Sequence, residues 1–489
     1  MKHLTLEFRF ALYNDEYFIT NVLIDNEISD NFDLCFYSFN EDVVYYVNDL
    51  DKAYIYIINY LLKCGYECTI DKLKPNTFSY VYKSGKCSNI KVKTRYNTII
   101  FVNFKSKFGV EFGTHQQNQE LIDYAIEHGR LAYSLGADAY NEFVNMTFNK
   151  GRYQEFVAHK IMREDNHYPI FEYDNALLEA KEHIAGYQMC KQGTYNNLYE
   201  YDISSSYPAQ LLCDTPIGTP KYYETLEEIP TSYFKVITFS YWNNQGIKPN
   251  KIDFIQTQEF GILTLTQDMF DLFQENYTYT IKIKQIQAFK TQKSPFKKFI
   301  TQNIINGKLN EKRDHIAKYN KYIGNAIIGY FGRNTTTTEN VAKMAQKSIK
   351  TSTVDKQIDP VYLPVYLSVL DKSKSAFIRT LQKHQDTIVY ANTDGFLSTK
   401  QIDVNSLNIN NSLPIGNYRN KNTFAYIYIE CVNGYAGIKD TGEIDNTISG
   451  MSFEEAIDPE QYRTRQFKYY VKVATEHGTI RQQRITPHQ

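Results

Sequence analysis

The chain of 489 residues, of which 42% are hydrophobic and 22% charged, is long enough for several domains and too apolar for global disorder. Its formal net charge of −1 excludes a uniformly basic protein, so any contact with nucleic acid must depend on local clusters of lysine and arginine. The sequence has no apolar run of about 18 residues, which argues against a membrane span, and its seven cysteines form no CxxC pair, as expected for free thiols in a reducing cytoplasm.

The first 110 residues have the mixed pattern of an α+β domain. Residues 53–62 (AYIYIINYLL) predict an amphipathic helix, and residues 98–104 (TIIFVNF) predict a buried strand. Residues 115–185 are mostly helical in pattern. A strand pair with a turn around Gly193 follows and leads to a strand that ends at residue 203.

The most basic stretch covers residues 282–321, where eleven lysines and arginines are accompanied by only two acidic residues. Residues 307–328 predict a helix, and a threonine-rich turn at 335–338 interrupts the pattern. Residues 386–398 (DTIVYANTDGFLS) predict a strand, a tight turn and a second strand. The last 29 residues carry six basic side chains against one acidic side chain, so this segment is also a candidate for contact with nucleic acid.

Three short segments carry residues suited to phosphoryl transfer. In residues 199–208 (YEYDISSSYP), an aromatic strand ends at Asp202 and is followed by three hydroxyls. In the second segment, four residues spaced three or four apart share one helix face: Lys318, Lys321, Asn325 and Gly329. In residues 388–395 (IVYANTDG), Asp394 lies at the tip of a hairpin. Each segment alone also fits an Asx turn, a solvated helix face or an ordinary tight turn.

Together, the three segments contain the groups that nucleotide addition requires. Two Mg²⁺ ions about 3.5–4 Å apart can activate a primer 3′-hydroxyl and neutralise the leaving pyrophosphate. Mg²⁺ prefers oxygen ligands, so we expect Asp202 and Asp394 to meet on one sheet, although 192 residues separate them. The lysines and the asparagine of the helix face would hold the triphosphate.

In this order, the segments resemble the motifs of family B DNA polymerases, and most closely those of the small protein-primed enzymes of phages with linear genomes. The resemblance is strongest from residue 186 to residue 451. Residues 201–212 (YDISSSYPAQLL) look like motif A (D-x-x-S-x-Y-P). This match implies that Asp202 is a metal ligand, joined by the backbone of Ile203, and that Tyr207 excludes a ribose 2′-hydroxyl. It also places the three serines of the motif near the triphosphate: Ser204, Ser205 and Ser206.

The other two segments resemble motifs B and C. Residues 321–333 (KYIGNAIIGYFGR) are similar to K-x3-N-x2-Y-G, which places the helix face of Lys318, Lys321, Asn325 and Gly329 at the incoming nucleotide. Residues 390–395 (YANTDG) are similar to Y-x-D-T-D-S, which makes Asp394 the second metal ligand and Asn392 its catalytic neighbour. The resemblance implies four further contacts with primer or template: Tyr390, Thr393, Tyr435 and Gly193.

The resemblance implies an α+β fold shaped as a right hand, with palm, fingers and thumb, and an N-terminal RNase H-like exonuclease-type domain. Three more segments look like the family: 265–273 (LTQDMFDLF), 359–364 (DPVYLP) and 449–451 (SGM). The expected domains are an exonuclease-like domain at 1–185, palm with a first insertion at 186–294, fingers at 295–345, a second insertion and further palm at 346–430, and the palm end and thumb at 431–489.

The same resemblance implies the cofactor and the partners. We expect two Mg²⁺ ions, which Mn²⁺ can replace, a DNA template and primer, and deoxynucleoside triphosphates. A terminal protein that offers a priming hydroxyl would dock on an insertion within 213–295, and a second insertion within 334–358 would help to encircle the template. A monomer without membrane attachment is expected in the cytoplasm, that of the host cell if the protein is viral, because the N-terminus MKHLTLEFRF has no signal-peptide pattern.

Four positions of the polymerase motifs depart from the family. Asn392 replaces an aspartate of motif C and removes one negative charge, and Ile328 replaces the tyrosine of motif B. Asn433 stands where the K-x-Y element has a lysine that contacts the primer terminus. The Y-x-G-G/A element before motif A is represented only by residues 190–193 (CKQG).

The N-terminal domain departs further. The family builds its 3′–5′ exonuclease on carboxylates, whereas the corresponding positions here are Glu7 with Arg9, Ala53, and Tyr124 with His128. Arginine, alanine and histidine do not form an all-oxygen site for two Mg²⁺ ions. The sequence therefore predicts an exonuclease-like domain without proofreading, and the alternative is a divergent working site at other positions.

Two other functions stay open at this point. One is a polymerase-like DNA-binding protein that has lost catalysis, and the other is an untemplated nucleotidyltransferase that labels a protein hydroxyl. The sequence favours a polymerase because four key residues are all present: Asp202, Asp394, Lys321 and Asn325.

Overall fold

The structure is a computed structural model. It describes the chain except for the following residues: 1, 14–15, 30–31, 33, 38–39, 71, 84–85, 134–174, 184–185, 256–262, 334–335, 346–347, 358–361, 409–413, 450–452, 454, 466, 476–477 and 486–489. Parts of two segments that resemble the family, 359–364 and 449–451, lie outside the described residues.

The N-terminal part is an α+β unit, as its pattern predicts. Its strands are β1 (Lys2–Tyr13), β2 (Glu16–Ile24), β3 (Glu27–Ser29), β4 (Val43–Val47), β5 (Glu67–Cys68), β6 (Thr77–Lys83), β7 (Lys86–Lys93) and β8 (Thr98–Asn103). Its helices are α1 (Leu34–Tyr37), α2 (Leu50–Lys63), α3 (Phe104–Phe108) and α4 (His115–Tyr133). β1, β4 and β8 are parallel neighbours, whereas β6, β7 and β8 run antiparallel. The side chain of Asp49 caps α2, which packs its apolar face on this sheet.

The second sheet carries the residues of motifs A and C. Its strands are β9 (Gln188–Cys190), β10 (Gly193–Ile203), β17 (Ile388–Asn392), β18 (Gly395–Ser398), β19 (Tyr418–Cys431), β20 (Gly434–Lys439) and β21 (Ile444–Ile448), in the spatial order β21-β20-β19-β10-β18-β17-β9. β9 and β10 do not form the strand pair that the sequence suggested, because β9 pairs with β17 and β10 pairs with β18 and β19.

A third sheet lies beside the second, in the order β11-β14-β12-β13. Its strands are β11 (Thr215–Tyr223), β12 (Phe234–Ile247), β13 (Leu263–Thr266) and β14 (Tyr277–Gln292). The helices around the second and third sheets are α5 (Asn175–His183), α6 (Ser206–Gln210), α7 (Gln267–Asn276), α10 (Leu363–Lys383), α11 (Val404–Leu407) and α12 (Pro459–Arg463). One core joins the two sheets through α7 and α10, since the apolar faces of both helices pack into it.

The basic stretch begins in β14 and continues into two antiparallel helical segments. α8 (Lys297–Ile300) continues into a π-helix (Thr301–Leu309), and α9 (Asp314–Phe331) follows after a short turn. The helix predicted at 307–328 is therefore interrupted between Leu309 and Asp314. In this turn, Glu311 accepts hydrogen bonds from the backbone and the guanidinium of Arg313. Ile328 of motif B is 3% exposed and belongs to the core that joins these helices to the N-terminal part.

Two hairpins extend the N-terminal sheet at its edges. β15 (Thr336–Ala345) and β16 (Ser348–Gln357) form the first, and β22 (Lys468–Thr475) and β23 (Gly478–Ile485) form the second. The residues predicted as a threonine-rich turn belong to β15 from Thr336 onward. The described part of the sheet has twelve strands, in the main order β16-β15-β6-β7-β8-β4-β1-β2-β23-β22. Within the described residues, no helix has the length and apolar content needed to cross a membrane.

Candidate active site

Asp202 and Asp394 lie at adjacent strand ends of the second sheet. Asp202 is the penultimate residue of β10 and pairs with Gly395, the first residue of β18. The backbone N–H of Ile203 donates a hydrogen bond to the Asp394 carbonyl at 3.1 Å. A β-carbon on Gly395 would lie 3.2 Å from the Tyr201 carbonyl oxygen, so glycine allows this close approach.

The fold places Asp202 by burying the residue before it. Tyr201 is completely buried, stacks on Phe396 with ring centroids 5.1 Å apart, and donates its hydroxyl hydrogen to the Ile402 carbonyl at 3.1 Å. Because side chains alternate along a strand, Asp202 then points to the opposite face. At the turn before β18, Thr393 has a φ of +61°, which tightens the hairpin around Asp394.

The two carboxylates influence each other electrostatically. Burial, followed by the negative charge of Asp202, raises the pKa of Asp394 to about 6, while Lys321 acts in the opposite direction. Arg419 on β19 forms an ion pair with Asp202, with 3.0 Å between Nη2 and Oδ2. Two carboxylates that repel each other form a suitable binding site for a divalent cation, because the cation would relieve that repulsion. The described residues nevertheless contain no group of three or more His, Cys, Asp or Glu that could hold a metal ion by themselves.

A cleft of about 200 Å³ opens over the two aspartates. The residues that line it are Glu200, Asp202, Tyr390, Asn392, Asp394, Gly395, Phe396, Leu397, Lys421, Asn433, Tyr435 and Thr447. The rings of Tyr390 and Tyr435 meet edge to face at 5.8 Å. The cleft thus brings together residues of motif C, the start of motif A and the degenerate K-x-Y element, which are far apart in the chain.

Asn392 has a full set of hydrogen-bond partners in this cleft. Its Nδ2 donates to Asn433 Oδ1 at 2.7 Å, and its Oδ1 accepts from Gln188 Nε2 and from the Thr393 hydroxyl, both at 3.0 Å. The two positions at which the sequence departs from motif C and from the K-x-Y element are therefore in direct contact. Where the resemblance implies an aspartate and a lysine, the cleft thus holds two neutral amides that are hydrogen-bonded to each other.

The nucleotide side of the site is formed by α6 and by the helices of the basic stretch. Lys308, in the π-helix, donates a hydrogen bond to Ser205 Oγ at 2.6 Å. Burial, together with the positive charges of Lys321 and Arg419, lowers the pKa of Lys308 to about 8. Lys308 belongs to the basic stretch at 282–321, and no motif spacing in the sequence singles it out. The contact of this half-buried lysine with a serine of motif A is visible only in the fold.

The remaining residues of motif A are close by. Tyr207 is partly buried, and burial together with the nearby charge of Asp394 raises its pKa to about 12. Ser206 is hydrogen-bonded to Ser373 of α10 at 2.8 Å and faces the interior, whereas Ser205 adopts a φ of +53° that turns its hydroxyl toward Lys308. The backbone of Ser204 is hydrogen-bonded to Asn417 and Gly416. Of the three serines, only Ser205 is thus seen to contact a basic side chain of the site.

Only part of the predicted helix face on α9 lies near the two carboxylates. Lys321, Asn325 and Gly329 are exposed, and Lys321 is close enough to Asp394 to influence its ionisation. Lys318 forms an ion pair with Asp314 at 2.6 Å and lines a separate cavity between α9 and the N-terminal part. Gly193 begins β10 and is not among the residues that line the cleft.

The predicted exonuclease positions do not form a carboxylate cluster. Glu7 pairs with Arg9 on β1 at 3.3 Å, and Ala53 is completely buried in α2. The Tyr124 hydroxyl accepts a hydrogen bond from Asn320 of α9 at 3.0 Å. Each residue has a structural partner, and α4 is joined to the helices of the basic stretch through Tyr124. The side chain of His128 lies outside the described residues.

Comparison with known proteins identifies the family. The family described as "DNA polymerase type B, organellar and viral" matches residues 116–412 of the chain. A DNA polymerase of Streptococcus phage Cp-1 is 28% identical over 225 residues, which span 41% of this chain and 39% of that relative. The match with the phage protein thus covers less than half of either protein.

Solved structures confirm the predicted α+β polymerase fold. Phi29 DNA polymerase in complex with primer-template DNA and incoming nucleotide substrates matches with a TM-score of 0.79 and 15% identity, over 99% of this chain and 100% of that chain. The post-translocation binary complex of the same enzyme matches with a TM-score of 0.78 and 16% identity, with the same coverage. The chain belongs to the organellar and viral type B DNA polymerases.

Proposed function

We propose that the protein is a template-directed DNA polymerase that adds deoxynucleotides to a primer 3′-hydroxyl. The observation that carries this proposal is the convergence of Asp202 and Asp394 at paired strand ends, where burial and mutual repulsion raise the pKa of Asp394 to about 6. A divalent cation bound to this pair would lower the pKa of the attacking hydroxyl and stabilise charge on the leaving pyrophosphate. The oxygen donors suit Mg²⁺, and Mn²⁺ should replace it.

The residues around the pair bind and orient the substrates. Lys308 and Lys321 provide positive charge for the triphosphate, and Ser205 positions the ammonium of Lys308 through their hydrogen bond. Tyr207 lies beside Asp394 and would block a ribose 2′-hydroxyl. We infer that Asn325 and Gly329 form the floor under the nascent base pair, because both are exposed on the same face of α9 as Lys321.

The fold also suggests how the domains work together. We propose the boundaries stated above, with the second sheet as the palm and α8 to α9 as the fingers. The third sheet, within residues 213–295, is our candidate docking surface for a terminal protein that primes synthesis. The β15–β16 hairpin falls within the second proposed insertion and would help to enclose the template. A phage DNA polymerase of this kind would act as a monomer in the cytoplasm of the host.

We further propose that the N-terminal domain does not proofread. Arg9 neutralises Glu7, and Ala53 is buried where a carboxylate would be required. These positions therefore do not supply the oxygen ligands that two Mg²⁺ ions require.

The decisive experiment is primer extension with purified protein, a labelled primer-template and Mg²⁺ or Mn²⁺. We expect extension that follows the template sequence and that Asp202→Ala abolishes. The control is Asp440→Asn, which changes an aspartate in an exposed turn. Retained DNA binding without any extension would favour a binding protein that has lost catalysis. Incorporation that ignores the template would favour an untemplated nucleotidyltransferase.

A further inference from the structure

Tyr124 of α4 connects the N-terminal part to the helix that carries Lys321. Its hydroxyl accepts a hydrogen bond of 3.0 Å from Nδ2 of Asn320, which lies on α9 one residue before Lys321. The ring of Tyr124 also meets the ring of Tyr319 edge to face, with centroids 6.2 Å apart. A tyrosine at a position where the resemblance implies an exonuclease residue thus contacts a helix of the candidate polymerase site.

The side-chain amide of Asn320 depends on this contact for its orientation. Asn320 is completely buried, and its Nδ2 donates a second hydrogen bond to the Ile316 carbonyl at 3.0 Å. Among the described residues, its Oδ1 has no hydrogen-bond partner. The two bonds of Nδ2 therefore fix the plane of the amide, and loss of the Tyr124 hydroxyl would leave one buried N–H unpaired.

Gly307 packs directly on the amide of Asn320. Gly307 belongs to the π-helix Thr301–Leu309, and a β-carbon on it would lie 2.6 Å from Asn320 Cγ. The absence of a side chain at Gly307 allows the two segments to approach so closely. Because packed interiors are hard to compress and transmit strain, a rotation of the Asn320 amide should displace Gly307.

Lys308 follows Gly307 and reaches the candidate nucleotide site. Its side chain is half-buried, and its ammonium donates the hydrogen bond of 2.6 Å to Ser205 Oγ. π-helical turns are rare and frequently occur at functional sites. The position of the Lys308 ammonium thus depends on the place at which Asn320 holds Gly307.

We propose that Tyr124 and Asn320 are positioning residues for the incoming nucleotide, which act through Gly307 on Lys308. The inference rests on the proposed polymerase function, in which Lys308 provides positive charge for the triphosphate. An ammonium that is displaced from the phosphates loses part of its Coulombic attraction to them. The N-terminal part therefore supports nucleotide binding, although Tyr124 acts only through Asn320.

The test is single-nucleotide addition at a saturating concentration of primer-template, with KM for the nucleotide and kcat measured separately. Tyr124→Phe should raise KM about 3–10-fold, the effect of one lost hydrogen bond, without changing the affinity for primer-template. Lys308→Gln should also raise KM, and adding Tyr124→Phe to it should have no further effect. The matched control is Tyr322→Phe, which removes a bond of 2.8 Å between α9 and the Ser106 carbonyl and should leave KM unchanged.

Hydrogen–deuterium exchange provides a readout that does not require activity. The backbone amides of residues 301–309 should exchange faster in Tyr124→Phe than in the wild type or in Tyr322→Phe, with thermal unfolding as the check that all variants are folded. An unchanged KM in Tyr124→Phe, an equal rise in Tyr322→Phe, or additive effects of Tyr124→Phe and Lys308→Gln would overturn the proposal. If the wild-type protein extends no primer, the proposed function fails, and the exchange of residues 301–309 then decides separately whether Tyr124 positions the π-helix.

Discussion

Asp394→Asn should stabilise the metal-free protein while abolishing nucleotide addition. The folded protein holds Asp394 with its pKa raised to about 6 from an ordinary value of 3.8, first because of burial and then because of Asp202. A shift of this size corresponds to about 3 kcal/mol at full effect. Because the side chain is partly solvated, we expect a gain of about 1–2 kcal/mol in the free energy of unfolding.

The gain should depend on pH in a defined direction. A carboxyl whose pKa is raised by folding binds more protons in the folded state, so the wild-type protein loses stability as the pH rises from about 4 to about 6. The asparagine variant lacks this loss. The difference between the two proteins should therefore be near zero at pH 4 and reach its full value above pH 6.

Urea unfolding in EDTA at pH 4, 5, 6 and 7.5 measures this difference, with Asp440→Asn as the control for loss of an exposed aspartate. Added Mg²⁺ should stabilise the wild-type protein but not Asp394→Asn, because binding to the folded state shifts the unfolding equilibrium. If Asp394→Asn is no more stable than the wild type at pH 7.5 in EDTA, burial and Asp202 do not destabilise the Asp394 carboxylate and the reasoning fails.

Three further outcomes are expected. Asn392→Asp alone should lower the extension rate, because the new carboxylate would face the Asn433 oxygen. Combining it with Asn433→Lys should restore much of the rate in a double-mutant cycle. A rate raised by Asn392→Asp alone would contradict this interpretation of the amide pair. Tyr207→Ala should raise incorporation of ribonucleotides relative to deoxynucleotides, measured as a ratio of kcat/KM, and an unchanged ratio would remove the steric role of Tyr207. A labelled primer with a mismatched end should keep its length with Mg²⁺ and no nucleotides, and shortening by pure protein would reveal a working exonuclease site.

Local pattern was sufficient to place the two aspartates. An aromatic strand that ends at Asp202 and a hairpin whose tip holds Asp394 are properties of short segments, and the structure has both. The pattern also gave α2 and β8 within a few residues. Such features follow from alternation and turn chemistry within about ten residues.

Contacts between distant segments could not be predicted in the same way. The bond between Asn392 and Asn433 joins positions 41 residues apart, and the bond between Ser205 and Lys308 joins positions 103 residues apart. The sequence shows the first pair as two separate departures from the family, whereas the structure shows that the two side chains are in contact. The β-bulge at Lys421 could not be predicted from the sequence either, because it is defined by the register of β19 against β10.

The twelve-stranded sheet joins the N-terminal part to two hairpins from later in the chain. β15 pairs with β6 at Asn340 and Tyr80, and β23 pairs with β2 at Ile480 and Glu16, and both hairpins also contact α2. The two junctions together connect residues 336–357 and 468–485 to one scaffold in the N-terminal part. Deletion of the N-terminal part would therefore leave strand edges of both hairpins open to aggregation, whether or not that part excises nucleotides.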